Sequence, residues 1–205
     1  EYAISRESAA PSGRAAQGDK LAASLARHYL AVFYHSVAIA VTRRTVKAVP
    51  GENLLAANWD LAFQIAGYQA SILVNGKNNV RLFKAGMDVN AWSSITALDT
   101  VGKMNPANEL LNRDTSWWSG AFNNTADPSN QFDLGWGVYD FATHAVTGDS
   151  LYFIKLNSGV VKKLWIQVLQ NGIYNFAYAD VDGSNEVNAS INKQDYQGKN
   201  FGYYS

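Results

Sequence analysis

The pattern of apolar and polar positions in the second half of the chain predicts consecutive β-strands. Short apolar runs occupy residues 151–156, 160–169 and 173–178. Turn residues separate the runs, first Asn157-Ser158-Gly159 and then Asn171-Gly172. Asn-Gly takes the positive φ values that a two-residue hairpin turn needs. We therefore expect an antiparallel meander here, within a mostly β fold of two packed antiparallel sheets, with long loops at one end and little helix.

The first 50 residues give weaker indications of secondary structure. Residues 1–18 are rich in Ser, Ala, Gly and Arg and predict a flexible arm. Residues 20–29 carry apolar side chains at helical spacing and predict a short helix. Alternation over residues 33–41 predicts a strand, which continues over 45–49 and ends at Pro50-Gly51.

Strands are also expected over residues 59–66 and 68–74, with Trp59, Leu61 and Phe63 sharing a buried face. Asn75-Gly76 then predicts a hairpin that pairs the second of these strands with residues 80–83. Residues 84–130 show no sustained period and are rich in Asn, Asp, Ser and Trp. A loop region of this length is often functional, so we expect the ligand site here.

Composition favours a single domain over residues 19–205 and narrows the classes of function. The 17 basic and 17 acidic residues give no net charge, which argues against binding to nucleic acid or to an anionic membrane surface. There is no cysteine, so thiolate metal sites and disulfides are excluded. No apolar run reaches the length of a membrane span.

The chain carries none of the sequence motifs of common enzymes. It has no G-x-S-x-G, H-E-x-x-H or P-loop pattern, so we expect a protein that is not an enzyme. The acidic segment at residues 180–186 lacks the Gly and the final acid of a calcium loop, which favours a plain turn. Because the chain starts at Glu1, we expect a processed or truncated fragment that has lost any signal peptide and lipid-bearing Cys.

Two segments together resemble a known family. Residues 58–63 read Asn-Trp-Asp-Leu-Ala-Phe, and residues 135–178 give a Gly-Trp segment followed by the apolar strands and a turn ending in Gly. This order is similar to that of the HmuY-like haem-binding lipoproteins of Bacteroidetes. The tail at residues 187–205 resembles the first strand region of that family, which predicts either a permuted strand or the start of a second copy.

The resemblance implies non-enzymatic haem capture by a lipoprotein of the cell surface or outer membrane, or by a secreted form. Haem, free or taken from host haemoproteins, would be passed to a TonB-dependent outer-membrane transporter. The only contact of the protein with the membrane would be a lipid anchor, which has been removed from this chain. The alternative is a surface lipoprotein of the same fold that lacks haem ligands and binds a glycan or a protein through its Trp-rich loops.

The candidate haem ligands are few, and they are the three histidines and two methionines: His28, His35, His144, Met87 and Met104. By the resemblance, His144 lies in the segment of the second family ligand and Met104 near the first. A Met thioether is a known axial ligand of haem, so His144 with Met104 is the best available pair. Trp118 and Trp136 are the expected haem-stacking residues. The alternatives are a loop histidine bonded to a backbone carbonyl and a methionine that fills a core gap.

Overall fold

Strands and short 3₁₀ turns make up the regular structure of the described residues, which are 45–46, 59–116 and 118–205 in the computed structural model. All of them belong to one unit, Arg43–Ser205. The predicted arm, helix and strand within residues 1–44 lie outside the described residues. The predicted strand over 45–49 is described only as Thr45–Val46, which is extended.

The strands are β1 (Thr45–Val46), β2 (Leu61–Gln64), β3 (Ile72–Val74), β4 (Arg81–Lys84), β5 (Glu109–Leu110), β6 (Gly137–Asp140), β7 (Ala145–Gly148), β8 (Leu151–Lys155), β9 (Val161–Gln170), β10 (Ile173–Asp180), β11 (Val187–Asn192) and β12 (Phe201–Tyr204). The 3₁₀ turns are Gly76–Asn78, Val89–Ala91, Ala97–Thr100, Pro106–Asn108, Ala121–Asn123 and Lys193–Tyr196.

The strands form two antiparallel sheets, as the sequence predicted. The smaller sheet has the order β1-β12-β2-β3, and the larger has the order β11-β10-β9-β8-β4-β5. The hairpin β6–β7 joins the larger sheet because β7 also pairs with β9. The meander is confirmed as β8, β9 and β10, and Asn171 and Gly172 both take positive φ values in its second turn.

The main core lies between the two sheets. From the smaller sheet, the Phe63 ring lies 5.1 Å from Tyr174 and 5.0 Å from Phe176 on β10. The tail strand β12 contributes Tyr204, whose ring lies 5.0 Å from Phe176. The tail is therefore an ordered strand within the smaller sheet, since β12 pairs with both β1 and β2.

Trp59 is buried as predicted, but the prediction that it shares a face with Leu61 and Phe63 is wrong. The chain bends at Asp60, just before β2 begins. Trp59 therefore packs on the other face of the smaller sheet, where its ring lies 5.6 Å from Tyr203. Leu61 and Phe63 face the main core instead.

The predicted hairpin between residues 68–74 and 80–83 is also wrong, because Asn75-Gly76 begins a corner between the sheets. The Asn75 side chain accepts from the Asn78 backbone N–H at 3.2 Å and donates to the Trp59 carbonyl at 3.0 Å. Asn79 then takes a left-handed conformation. These contacts turn the chain into β4, which pairs with β8 and β5 in the larger sheet.

Strand β9 contains a bulge that sets the position of the β6–β7 hairpin. Asn175 of β10 faces Val168 while Phe176 faces Ile166, so Gln167 has no partner in β10. Along the other side of β9, β8 covers the first half and β7 the second. Where β7 ends, a Cβ on Gly148 would lie 1.7 Å from the Ile166 carbonyl oxygen. Only glycine fits this close approach.

We expect Gly148→Ala to lower the free energy of unfolding by at least about 1–3 kcal/mol, because the new methyl group would collide with backbone that has no rotamer to change. Chemical denaturation measures the loss. Gly76→Ala is the matched control, since nothing lies within 4 Å of its added Cβ, and it should stay within about 0.5 kcal/mol of the parent. Equal stability of the two variants would contradict the tight approach of β7 to β9.

Candidate functional site

The β6–β7 hairpin displays a group of aromatic rings at the protein surface. We call this group the hairpin aromatic cluster, and its members are Phe132, Tyr139, Phe141 and His144. The Phe141 ring lies 5.9 Å from His144 and 6.5 Å from Tyr139, and the Tyr139 ring lies 6.2 Å from His144. Phe141 is 74% exposed, and His144 is exposed as well. Exposed rings in contact with one another are a common feature of binding surfaces.

Asp140 shapes the turn that carries His144. Its carboxylate accepts from the Ala142 backbone N–H at 2.8 Å and from the Thr143 hydroxyl at 2.9 Å. These bonds lower the pKa of Asp140, so its charged form caps the turn at neutral pH, and the cap is lost only as the pH falls through that lowered value. His144 closes the turn with φ of 53°, a left-handed conformation that histidine adopts more readily than most residues.

The loop before β6 adds Phe132 to the cluster. The Tyr139 N–H donates to the Phe132 carbonyl at 2.8 Å, and Asp133 forms a bridge with Val138. This pairing stacks the Phe132 ring on Tyr139 at 6.3 Å with 25° between the planes. The backbone beneath the cluster is thus held by hydrogen bonds. Less conformational entropy of the protein would therefore be lost if a ligand bound there.

Tyr139 holds the imidazole of His144. The Tyr139 Oη lies 2.7 Å from Nδ1 of His144. In the tautomer in which Nδ1–H donates to Tyr139, the lone pair of Nε2 is free to bind a metal ion. Among the described residues, no side chain or backbone group bonds Nε2. Tyr139 therefore fixes the orientation of the His144 ring.

Trp136 lies beneath the hairpin and is fully buried. Its Nε1 donates to the Ala70 carbonyl at 3.0 Å, and its ring lies 6.3 Å from Tyr174 in the main core. Trp136 therefore anchors the base of the hairpin, and the structure gives it no exposed ring face for stacking on a ligand.

The structure does not bring the other predicted ligand residues to His144. Met87 and Met104 pack on the outer face of the larger sheet, in a cluster with Phe83 and Trp92. Trp118 is 43% exposed and its ring lies 6.4 Å from Phe201 of the smaller sheet. His28 and His35 lie outside the described residues.

The same outer face buries a lysine that no pattern in the sequence indicates. Lys163 is 1% exposed, and its Nζ donates to the Trp92 carbonyl at 2.6 Å and lies 4.7 Å from the Trp92 ring centroid. The indole N–H of Trp92 donates to Glu186 at 3.1 Å. These contacts bind the loop after β4 to the outer face of the larger sheet.

A cleft between the sheets is too small to compete with the hairpin surface. The cavity inside it is only about 10 Å³, roughly the room that one water molecule needs, and Leu61, Ile154 and Tyr178 are among its lining residues. Pockets for small organic ligands usually measure about 300–1,000 Å³. A large planar ligand would therefore have to bind at the surface rather than within this cleft.

Comparison with known proteins finds no matching family model, curated protein or solved structure. Within the described residues, no group of three or more His, Cys, Asp or Glu side chains is arranged to hold a metal ion. No helix in the same residues is long and apolar enough to cross a membrane.

The sequence indicates His144 but not its three aromatic neighbours. Phe132, Tyr139 and Phe141 lie within ten residues of one another, on both sides of the Gly-Trp segment. Tyr139 and Phe141 are two residues apart at the end of a strand. Side chains at this spacing point to the same face of a strand, so the sequence does indicate that these two rings lie together. The contact of Phe132 with Tyr139 depends on the backbone pairing before β6, which no periodicity in the sequence indicates.

We expect Phe141→Ala to change the free energy of unfolding by less than about 0.5 kcal/mol, because an exposed ring contributes little to the fold. Trp136→Ala should cost about 3–5 kcal/mol, since it removes a fully buried ring. Thermal and chemical denaturation of the two variants measure the difference. A large loss in Phe141→Ala would show that the cluster stabilises the fold and is not displayed for binding.

Proposed function

We propose that the protein captures haem on the hairpin aromatic cluster, with Nε2 of His144 as the ligand of the iron. One observation carries the proposal: an exposed imidazole whose Nδ1 is held by Tyr139 at 2.7 Å lies beside exposed aromatic rings. Imidazole is a common axial ligand of haem iron. Aromatic side chains provide the flat apolar contact that a porphyrin needs.

In this proposal His144 binds the iron alone. Met104 belongs to the cluster on the outer face of the larger sheet, so the pair that the sequence predicted is not assembled around the hairpin. A haem held through one face leaves its other face open. An open face lets an acceptor protein reach the iron, which suits a carrier that passes haem to an outer-membrane transporter, as the family resemblance implies.

The position of the cluster also suits capture and release. Phe141 and His144 protrude at the tip of a hairpin and are not enclosed in a pocket. A surface site buries less of its ligand than a pocket does and gives lower affinity per atom. The proposed activity is therefore reversible binding without chemical change of the haem.

Titration with haemin tests the proposal directly. We expect the parent protein to shift the Soret band in the ferric and ferrous states, with a five-coordinate ferrous spectrum. His144→Ala should abolish the shift or weaken binding at least about tenfold, because the only proposed iron ligand is lost. Absence of a shift for the parent in either redox state would contradict haem capture.

Met104→Leu separates the two ligand hypotheses. A protein that binds through His144 alone should keep its Soret shift in this variant, since Leu fills a similar volume in the outer cluster. A low-spin ferrous spectrum that is lost in Met104→Leu would instead support the His144–Met104 pair.

We expect Tyr139→Phe to weaken haem binding by about tenfold while the fold is unchanged, since the loss of a residue that orients a metal ligand typically costs about 10–100-fold in affinity. Haemin titration followed at the Soret band measures this loss. Tyr68→Phe is the matched control, because Tyr68 is fully exposed on the β2–β3 connection. Equal affinities of the two variants would show that Tyr139 does not orient the ligand.

A second candidate function is glycan binding, and the exposed ring of Trp118 favours it. Indole faces stack on sugar rings, and the Trp118 ring is held by stacking on Phe201 at 22° between the planes. If haemin gives no shift, affinity electrophoresis in gels that contain polysaccharides becomes the test. Retardation that is lost in Trp118→Ala would support this alternative.

A further inference from the structure

Strand β11 is an open edge of the larger sheet. It pairs with β10 along its full length, from Val187 to Asn192, and it ends the strand order of that sheet. Its sequence, Val-Asn-Ala-Ser-Ile-Asn, contains no charged residue and no proline. Proteins usually protect such edges with charge, proline or a covering segment.

Two other described edge strands, β3 and β5, carry that protection. On β3, the Ile72 N–H donates to the Asn123 side chain at 3.1 Å, and the Asn112 side chain bonds both the N–H and the carbonyl of Val74. On the far side of the larger sheet, β5 is only two residues long, and its Glu109 forms an ion pair with Arg81. In the described part of the chain, β11 has no comparable cover.

The hydrogen-bond pattern defines which groups of β11 point outward. The Lys193 N–H donates to the Gly172 carbonyl at 2.8 Å, at the start of the β10–β11 ladder. Bonds in an antiparallel ladder alternate from one residue to the next. Residues 187, 189 and 191 therefore bond to β10, and the N–H and carbonyl groups of Asn188 and Ser190 face away from the sheet.

We propose that β11 pairs antiparallel with β11 of a second copy of this chain, with Ala189 of the two copies facing each other on a two-fold axis. In this register Asn188 of one copy exchanges both backbone hydrogen bonds with Ser190 of the other. A two-fold axis requires a self-complementary strand, and antiparallel pairing of identical strands satisfies this. The result is a continuous sheet through both copies.

The side chains of β11 fit this register on both faces. Ile191 is buried in the main core and Ala189 packs against it, so residues 187, 189 and 191 share the inner face. Val187 is 38% exposed, and it would lie beside Ile191 of the second copy. On the outer face Asn188 would meet Ser190, and both side chains are polar and can form hydrogen bonds.

One strand pair buries less area than a stable dimer needs, so the association is weak and depends on protein concentration.

Single cysteines test the register, because the chain has no cysteine of its own. In directly opposed strand residues that do not exchange hydrogen bonds, the Cβ atoms lie about 4.5–5.5 Å apart, close to the separation in a disulfide. Ala189→Cys should therefore form a covalent dimer under mild oxidation. Ser190→Cys is the matched control and should cross-link at least about tenfold less, because Ser190 faces Asn188. Cross-linking of Ser190→Cys in preference to Ala189→Cys would overturn the register.

Sedimentation of the parent protein from about 10 µM to about 1 mM tests the association itself. We expect the average mass to rise toward that of a dimer, and to stay at the monomer in Ser190→Pro, which removes an outward N–H and leaves the β10 ladder intact. Asn188→Lys serves as a second variant if the proline perturbs folding, and circular dichroism checks both. A parent protein that stays monomeric throughout, with no Ala189→Cys dimer, would overturn the proposal. This result is independent of haem binding, which the haemin titration measures on its own.

Discussion

The bulge at Gln167 determines how the larger sheet is built and where the hairpin aromatic cluster lies. It lets one long strand, β9, pair with β8 over its first half and with β7 over its second. The close approach of Gly148 to the Ile166 carbonyl makes this junction possible. Because β7 carries the turn that ends in His144, a change at the junction would move the proposed binding surface even though no residue of the cluster had been altered.

Asparagine side chains replace missing backbone partners in several places of this fold. Asn112 and Asn123 act as a substitute strand along β3, and Asn75 fixes the corner between the sheets. A carboxamide offers both a donor and an acceptor, so it can satisfy a backbone pair in the way a neighbouring residue does. This explains why the long irregular region is rich in Asn and can still cover buried backbone.

Local signals in the sequence predicted the fold better than the site. Asn171-Gly172 forms the expected hairpin because both flanking runs are long and apolar. Asn75-Gly76 does not form the expected hairpin, because the Asn75 side chain also donates to the Trp59 carbonyl, which lies outside the turn. The family resemblance indicated His144 through the segment in which it lies. The bond of His144 to Tyr139, however, depends on the register of the β6–β7 hairpin. Met104 was a candidate through the family resemblance, and its packing against the outer-face cluster depends on tertiary contacts that no local pattern indicates.

The pairing of β12 with β2 has a consequence for the order of folding. Phe201 lies opposite Gln64, so about 140 residues must be brought together before the smaller sheet gains this strand, and such distant contacts form slowly. The β8–β10 meander, built from neighbours in sequence, can form earlier. During synthesis part of the apolar face of the meander therefore stays uncovered until the smaller sheet is complete, and transiently exposed apolar surface favours aggregation.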